Sequence, residues 1–367
     1  MKRNLIALAI AAVVVSPVVN AAPKVYGKLN ISAESYKKDF EGAVKVDDEY
    51  TRMQSNASRF GVKGEDELTA DLSAVYGIEW QVAAEGDDTS GLTATTTADT
   101  NGDGEIDSKD TTITTTISGG DKLDLTQRNR YIGIKSQKLG TIKFGKYDTY
   151  LKLAQGEIDF FNDYAGDMQF VIAGENRINN ALGYESPKFG GLTFNVMAQT
   201  QDSAKAKNGA SASVVYSNEE LGLFAALAVD NNIDSATALS GKRESDNVRL
   251  AGSYKVADLT VSAIYQTSKA AKVAAGANSN EEAGWQLGAS YKIGSELLKV
   301  QFGQVDADNE KADIQKRSQW SIGAGHNLTS KTKAFVWYTA QEEEKISTKK
   351  ADNYDVNVLA IGVDHKF

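Results

Sequence analysis

Apolar and polar residues take turns along most of this chain. Leu72, Ala74, Tyr76, Ile78, Trp80 and Val82 are apolar, while Ser73, Gly77, Glu79 and Gln81 between them are small or polar. The same two-residue period returns at Leu192, Phe194, Val196 and Ala198 against Thr193, Asn195 and Gln199, and at Val248, Leu250 and Tyr254 against Arg249, Ser253 and Lys255. It is cleanest at Trp285, Leu287, Ala289, Tyr291 and Ile293 against Gln286, Gly288, Ser290 and Lys292. Successive side chains of a strand point to opposite faces, so each segment predicts a β-strand with one apolar and one wet face.

Sixteen such strands can be counted, beginning near Val25, Arg52, Leu72, Leu125, Thr141, Asn176, Leu192, Ala210, Gly222, Asp246, Leu259, Glu282, Leu297, Arg317, Lys331 and Tyr354. Their connections alternate in length. Short ones fall at Gly64 to Leu68, Ser136 to Gly140, Pro187 to Gly190, Asn218 to Leu221, Val256 to Asp258 and Thr329 to Ser330. Long polar ones fall at Lys37 to Tyr50, Gly86 to Asp124, Leu151 to Glu175, Asn231 to Glu244, Lys269 to Asn280, Asp306 to Lys316 and Glu342 to Asn353. A soluble sandwich also alternates, but it hides its apolar faces in a dry core behind highly charged outer faces. An even number of strands, with short turns at one end and long loops at the other, predicts an all-β fold: a sixteen-stranded antiparallel transmembrane β-barrel. Hydrocarbon tolerates no unpaired backbone, so the first and last strands are expected to pair. Aromatics such as Tyr76, Trp80, Tyr184, Tyr216, Tyr254, Tyr265, Trp285, Tyr291 and Trp320 sit on the apolar faces, as interfacial girdles require.

Composition then excludes several classes of function. The formal charge of −9 offers no basic stripe for nucleic acid. Cysteine is absent, and His326 and His365 are the only imidazoles, which leaves little for thiol or histidine chemistry. Lys2 and Arg3 precede an apolar run from Leu5 to Val15, followed by small residues at Val19-Asn20-Ala21. This reads as a cleaved signal peptide over residues 1–21, leaving 22–367 as the barrel domain. The run is shorter than the ~20 residues of a spanning helix. Cleavage removes two basic residues and leaves 38 against 49 acidic ones, a net charge of −11.

Between Arg128 and Gly191, two strand-like segments enclose a long acidic insertion, residues 151–175, carrying Glu157, Asp159, Asp163 and Asp167. If the insertion folds inward, these carboxylates face wall arginines across a water-filled opening. Alternation places Arg59 and Lys63 in the lumen when Phe60 and Val62 face lipid. It does the same for Arg177 when Ile178, Leu182 and Tyr184 face lipid, and for Lys28 when Leu29 and Ile31 do. Arg128 is less straightforward, because Ile132 and Ile134 share its parity; Arg130, on the same face, is its nearest substitute. The sequence leaves open which of the four acids points into the pore. Gly156, Gly166 and Gly174 give the insertion its bends.

Several motifs, in this order and spacing, resemble the general-diffusion porins of the Gram-negative outer membrane over the whole mature chain. They are Val25-Tyr26-Gly27-Lys28, Ser58-Arg59-Phe60-Gly61-Val62-Lys63-Gly64-Glu65, Gly140-Thr141-Ile142-Lys143-Phe144-Gly145-Lys146, Tyr184 to Gly191, and Gly362-Val363-Asp364-His365-Lys366-Phe367. The resemblance implies passive diffusion of ions and small hydrophilic solutes, a homotrimer, contact with outer-membrane lipid and lipopolysaccharide, and a third external loop folded into the lumen. Lys28, Arg59, Arg128 and Arg177 match the family's basic constriction positions. Phe367, with Leu359, Ile361 and Val363 on its parity, looks like the family's assembly signal, which His365 interrupts.

Two other readings stand beside this one. Phe160, Phe161, Tyr147, Tyr150 and Tyr164 near the insertion allow a substrate-selective channel for oligosaccharides or anions. No cofactor is required by the fold, but residues 99–110 fit a twelve-residue calcium loop. Asp99, Asn101, Asp103 and Glu105 supply oxygens, Gly104 the sharp turn and Asp110 the closing acid, where Glu is usual. The surrounding external loop, residues 86–124, contains threonine runs at Thr93 to Thr97 and Thr111 to Thr116 of low-complexity character.

Overall fold

The structure, a computed structural model, describes residues 23–41, 48–83, 91–98, 111–118, 125–201, 208–237, 241–271, 280–309, 315–345 and 353–367. The signal-peptide reading at 1–21 and the calcium-loop reading at 99–110 lie outside them. Period-two alternation yields strands throughout: β1 (Lys24–Glu41), β2 (Asp48–Ser55), β3 (Arg59–Glu67), β4 (Leu72–Val82), β5 (Gly91–Ala98), β6 (Thr111–Ser118), β7 (Leu125–Ser136), β8 (Gly140–Asp148), β9 (Arg177–Glu185) and β10 (Leu192–Gln199). They continue as β11 (Gly209–Asn218), β12 (Leu223–Thr237), β13 (Gly241–Val256), β14 (Leu259–Ala270), β15 (Asn280–Ile293), β16 (Glu296–Asn309), β17 (Gln315–Asn327), β18 (Thr332–Lys345) and β19 (Asn353–Lys366).

Neighbouring wall strands pair antiparallel in chain order, and β19 returns to β1 through a register running from Lys28 opposite Lys366 to Glu41 opposite Asn353. β1 pairs with β2 along its upper part and with β3 along its lower part, so these two form one wall strand interrupted at residues 56–58. The wall therefore has sixteen strands and is closed. Gly27 and Phe367 complete the seam, each N–H donating to the other's carbonyl at 3.1 and 3.0 Å.

Burial runs opposite to that of a water-soluble sheet. Leu250 is 58% exposed while its neighbours Arg249 and Ala251 are buried, and Leu287 is 53% exposed beside a buried Gln286. The apolar face points outward, where hydrocarbon covers it, and the polar face points inward. Strands also run further than the alternation alone suggests. Much of the expected loop Lys37 to Tyr50 is strand, and β12 and β13 stay paired from Asp230–Asn247 up to Thr237–Gly241 after an irregularity beside Asn232, whose φ is +52°. The threonine runs, expected to be low-complexity loop, pair as the hairpin β5–β6, with Ala98 opposite Thr111. Their β-branched side chains favour the extended backbone.

Candidate functional site

The connection from β8 to β9, residues 149–176, is compact. Thr149 caps a short helix, α1 (Tyr150–Leu153), accepting from Lys152 N–H, and Asp167 caps a 3-10 turn by accepting from Gln169 N–H. Gly156 and Gly174 bend the chain at φ +55° and +93°, conformations that suit glycine. Leu151, Ile158, Met168, Val171 and Ile172 bury themselves against Ala226, Ala228, Ala251, Ile264 and Val305 of the wall. Small wall residues make that approach possible: a Cβ on Gly284 would lie 2.6 Å from the Val171 carbonyl oxygen.

Wall side chains then satisfy the segment's backbone. Gln301 donates to Asp159 Oδ1 and the Gly166 carbonyl and accepts from Phe160 N–H, while Gln319 donates to the Asp167 carbonyl and Gln341 to that of Ala165. The Arg249 guanidinium, fully buried, donates to the carbonyls of Leu151 and Ala173, to Glu175 Oε1 and to Gln266 Oε1, while the Gln155 amide nitrogen donates to Glu175. One wall arginine thus holds both limbs of the connection.

At the segment's tip, Asp163 Oδ2 lies 2.7 Å from Lys28 Nζ and 3.2 Å from Arg59 Nη1. Arg59 Nε is 3.8 Å from Glu79 Oε2, and Glu79 Oε1 takes Arg128 Nε at 2.6 Å. Arg128 also donates to Gln81, and the Tyr26 hydroxyl donates to Glu79. A second chain runs from Arg177 through Asp148 and Lys152 to Glu175 and Arg249, at 2.9, 3.4, 3.8 and 3.1 Å. Between these two chains lies a 420 Å³ cavity lined by Arg59, Arg128, Asp148, Lys152, Asp163, Asp167 and Glu175, among others.

The four expected acids part company. Asp163 meets the basic cluster, and Glu157 is exposed. Asp159 is buried and does not line the cavity; its oxygens accept from Phe161 N–H, Met168 N–H and Gln301. Asp167 borders the cavity while also accepting from Asp163 N–H. Burial pushes the Asp159 carboxyl up to about 6, and burial together with Asp159 and Glu175 raises Asp167 well above the ordinary carboxylate range. For Asp163, burial works in the same direction, but Lys28 and Arg59 prevail and hold it low.

Parity fails where the ladder slips. Between β4 and β7 the register shifts between Ile78 and Trp80, so Arg128 turns to Glu79 while Ile132 and Ile134 stay exposed on the outer face. Arg130 stands opposite Ile78 and is no substitute for it. A second shift, between Gly145 and Tyr147, corrects the expectation that Ile178 faces lipid. Ile178 is buried with Tyr147, Tyr150 and Ile233, whereas Leu182 is 44% exposed as expected. Arg177 accordingly packs on Asn129 and Asp148. Glu79, Asp148, Lys152, Glu175 and Arg249 were missed as site residues. Glu79 and Arg249 do stand on wet faces of their strands, which is the one signal that marks them.

A family model described as Gram-negative porin matches residues 7–345. The chain is 25% identical over 346 residues to the outer membrane porin protein 32 of Delftia acidovorans, covering 90% of this chain and 87% of that one. It is 23% identical over 398 residues to the major outer membrane protein P.IB of Neisseria sicca, covering 100% of both. Among solved structures it is similar to the anion-selective porin from Comamonas acidovorans, with a TM-score of 0.66 and 17% identity over 94% of this chain and 99% of that one. It is also similar to the trimer form of OmpT from Vibrio cholerae, with a TM-score of 0.62 and 14% identity over 94% and 99%. At such identities the structural likeness speaks for the fold.

Proposed function

The chain belongs to the Gram-negative porins, outer-membrane barrels that let ions and small hydrophilic solutes diffuse, and on that premise we propose that segment 149–176 lies in the lumen and sets the channel's width and polarity. The observation that carries the reading is Asp163 seated on Lys28 and Arg59, beside the cavity that Arg128 also lines. Basic side chains from one stretch of wall and carboxylates from the segment produce a transverse field in a narrow opening, where charges interact more strongly than in bulk water. Polar solutes orient in this field and pass; apolar ones must shed water without compensation. Cations and carboxylates around the cavity nearly balance, so ion selectivity is weak.

Reversal potential in a salt gradient tests this. Replacing Arg59 and Arg128 together by Ala shifts it toward cations, and an unchanged value would place both residues outside the ion path. At the constriction general diffusion is favoured over substrate selection, because Tyr147, Tyr150 and Phe161 are at most 3% exposed and, of the five aromatics that alternative draws on, Tyr164 alone borders the cavity. The trimer form of the Vibrio cholerae relative supports a homotrimer, with outer-membrane lipid and lipopolysaccharide as surroundings. The spacing of oxygen-bearing Asp99, Asn101, Asp103, Glu105 and Asp110 in the sequence supports Ca²⁺ binding by segment 99–110.

A further inference from the structure

Along the inward face of β1, above Lys28, polar Asn30, Ser32 and Glu34 give way to Tyr36, Lys38 and Phe40. Tyr36 stands opposite Tyr50 of β2, the rings stacked with centroids 4.9 Å apart. The Arg52 guanidinium lies 5.0 Å over Tyr36 while Nε and Nη2 donate to Glu34 Oε2 at 3.0 and 2.9 Å. On the other side, Phe40 stands opposite Tyr354 of β19 with centroids 6.0 Å apart, and Lys38 Nζ lies 4.4 and 3.9 Å from the two rings. The Tyr354 hydroxyl donates to Glu343, which pairs with Arg317 at 2.6 Å, and Arg317 lies 5.2 Å over Phe170 of segment 149–176. Tyr36 and Tyr354 themselves pack on the buried cluster that contains Phe161 and Tyr164 of that segment. Ring faces and cations therefore interleave in one run, from the long-loop end of the wall down to the segment.

We propose that this run is a binding site for planar aromatic carboxylates on their way into the channel, an inference that rests on the channel reading above. Elsewhere the inward positions are mostly polar or packed, as Gln266, Gln286 and Gln319 are. Here Tyr50 keeps 45% of its surface open, so a ring can stack on it. Lys38 follows Tyr36 by one same-face step, roughly 7 Å along the strand. It touches two ring faces and pairs with no carboxylate among the described residues. A ring on Tyr50 thus brings its carboxylate toward an ammonium whose charge is not already neutralised. Of the acids on this face, Glu34 and Glu343 are occupied by Arg52 and Arg317, and Asp48, opposite Lys38 in the register, forms no ion pair with it. The site consequently favours an anion over a neutral sugar.

Planar-bilayer recordings of the full-length channel in KCl, titrated with benzoate, cyclohexanecarboxylate, acetate and glucose from the long-loop side, test the proposal. Benzoate is expected to interrupt the current with about tenfold higher affinity than cyclohexanecarboxylate, a typical gain for stacking on an aromatic face. Tyr50→Leu removes that preference and leaves KCl conductance in place. Lys38→Met weakens benzoate and cyclohexanecarboxylate alike by about fivefold and keeps the ring preference. Indistinguishable effects of the three acids on the wild type, stronger interruption by glucose, or a preference that survives Tyr50→Leu would each overturn the site. A wild-type barrel silent in KCl would instead overturn the channel reading beneath it.

Discussion

Arg249→Met measures how firmly segment 149–176 is held to the wall. The substitution keeps the side chain's length but removes every donor from a fully buried guanidinium that now bonds Leu151, Ala173 and Glu175 of the segment. Stripping one partner from a buried charge pair costs ~3–5 kcal/mol. Two features soften that here: the Ala173 carbonyl keeps its bond from Gln266 at 2.7 Å, and Glu175 keeps Lys152 at 3.8 Å. A net loss of about 2–4 kcal/mol remains, because the Leu151 carbonyl and the Gln266 amide oxygen lose a charged donor. At about 1.4 kcal/mol per factor of ten, the population in which the segment leaves the wall rises about 30- to 700-fold. Single-channel recording should show frequent excursions to higher conductance, and amide exchange over residues 149–176 should accelerate by a similar factor. Arg249→Lys, which keeps the charge but not the fork, should fall between. Wild-type noise and exchange in Arg249→Met would refute the idea that this residue holds the segment.

Two further outcomes follow from the same segment and from the outer hairpin. Asp159 and Asp167 have folded-state affinities for protons above those of free carboxylates, so their contribution to stability is fullest in acid and is lost as pH rises, for Asp159 through about 6. Asp163 works the other way: held low by Lys28 and Arg59, it stabilises at neutral pH and fails only when pH falls below the ordinary carboxylate range. Protection factors of amides 149–176, corrected for the intrinsic pH dependence of exchange, should therefore rise between pH 7 and about 5, with Asp159→Asn flattening the change; a fall in protection over that interval would contradict the assignment. Ca²⁺ should raise the melting temperature of the isolated protein and EDTA should lower it, with Asp99→Asn plus Asp103→Asn abolishing the difference. Equal melting with and without the metal would leave the twelve-residue motif without a ligand.

The wall was legible because two solvents impose one rule on every strand. Residues such as Leu250 and Arg249 differ only in which side they face, and period two records that directly. Arg59 and Lys28 could be placed from this rule alone. Arg128 and Ile178 could not, since each lies beside a register shift, and an extra residue in one strand reverses the parity beyond it without marking the sequence. Loop acids offered no parity to read. Asp159 and Asp163 differ in fate because one turns back to bond its own segment's amides while the other reaches β1, a matter of tertiary packing. The threonine runs were misread because repetitive composition masked a residue type that favours extended backbone.

The seam between β1 and β19 joins residues more than three hundred positions apart, Lys28 opposite Lys366 among them. Until the last strand arrives, β1 presents an open row of amides and carbonyls on one edge, and neither bilayer nor neighbouring chain will leave such an edge alone. Insertion is consequently committed late and as a unit, with the earliest-made strand waiting for the latest. Whatever escorts the nascent chain across the periplasm must shield that waiting edge for the whole interval. A lesion at Gly27, where an added Cβ would meet the Phe367 ring and the Arg59 carbonyl oxygen, should accordingly show itself first as lost delivery to the membrane and only afterwards as altered conduction.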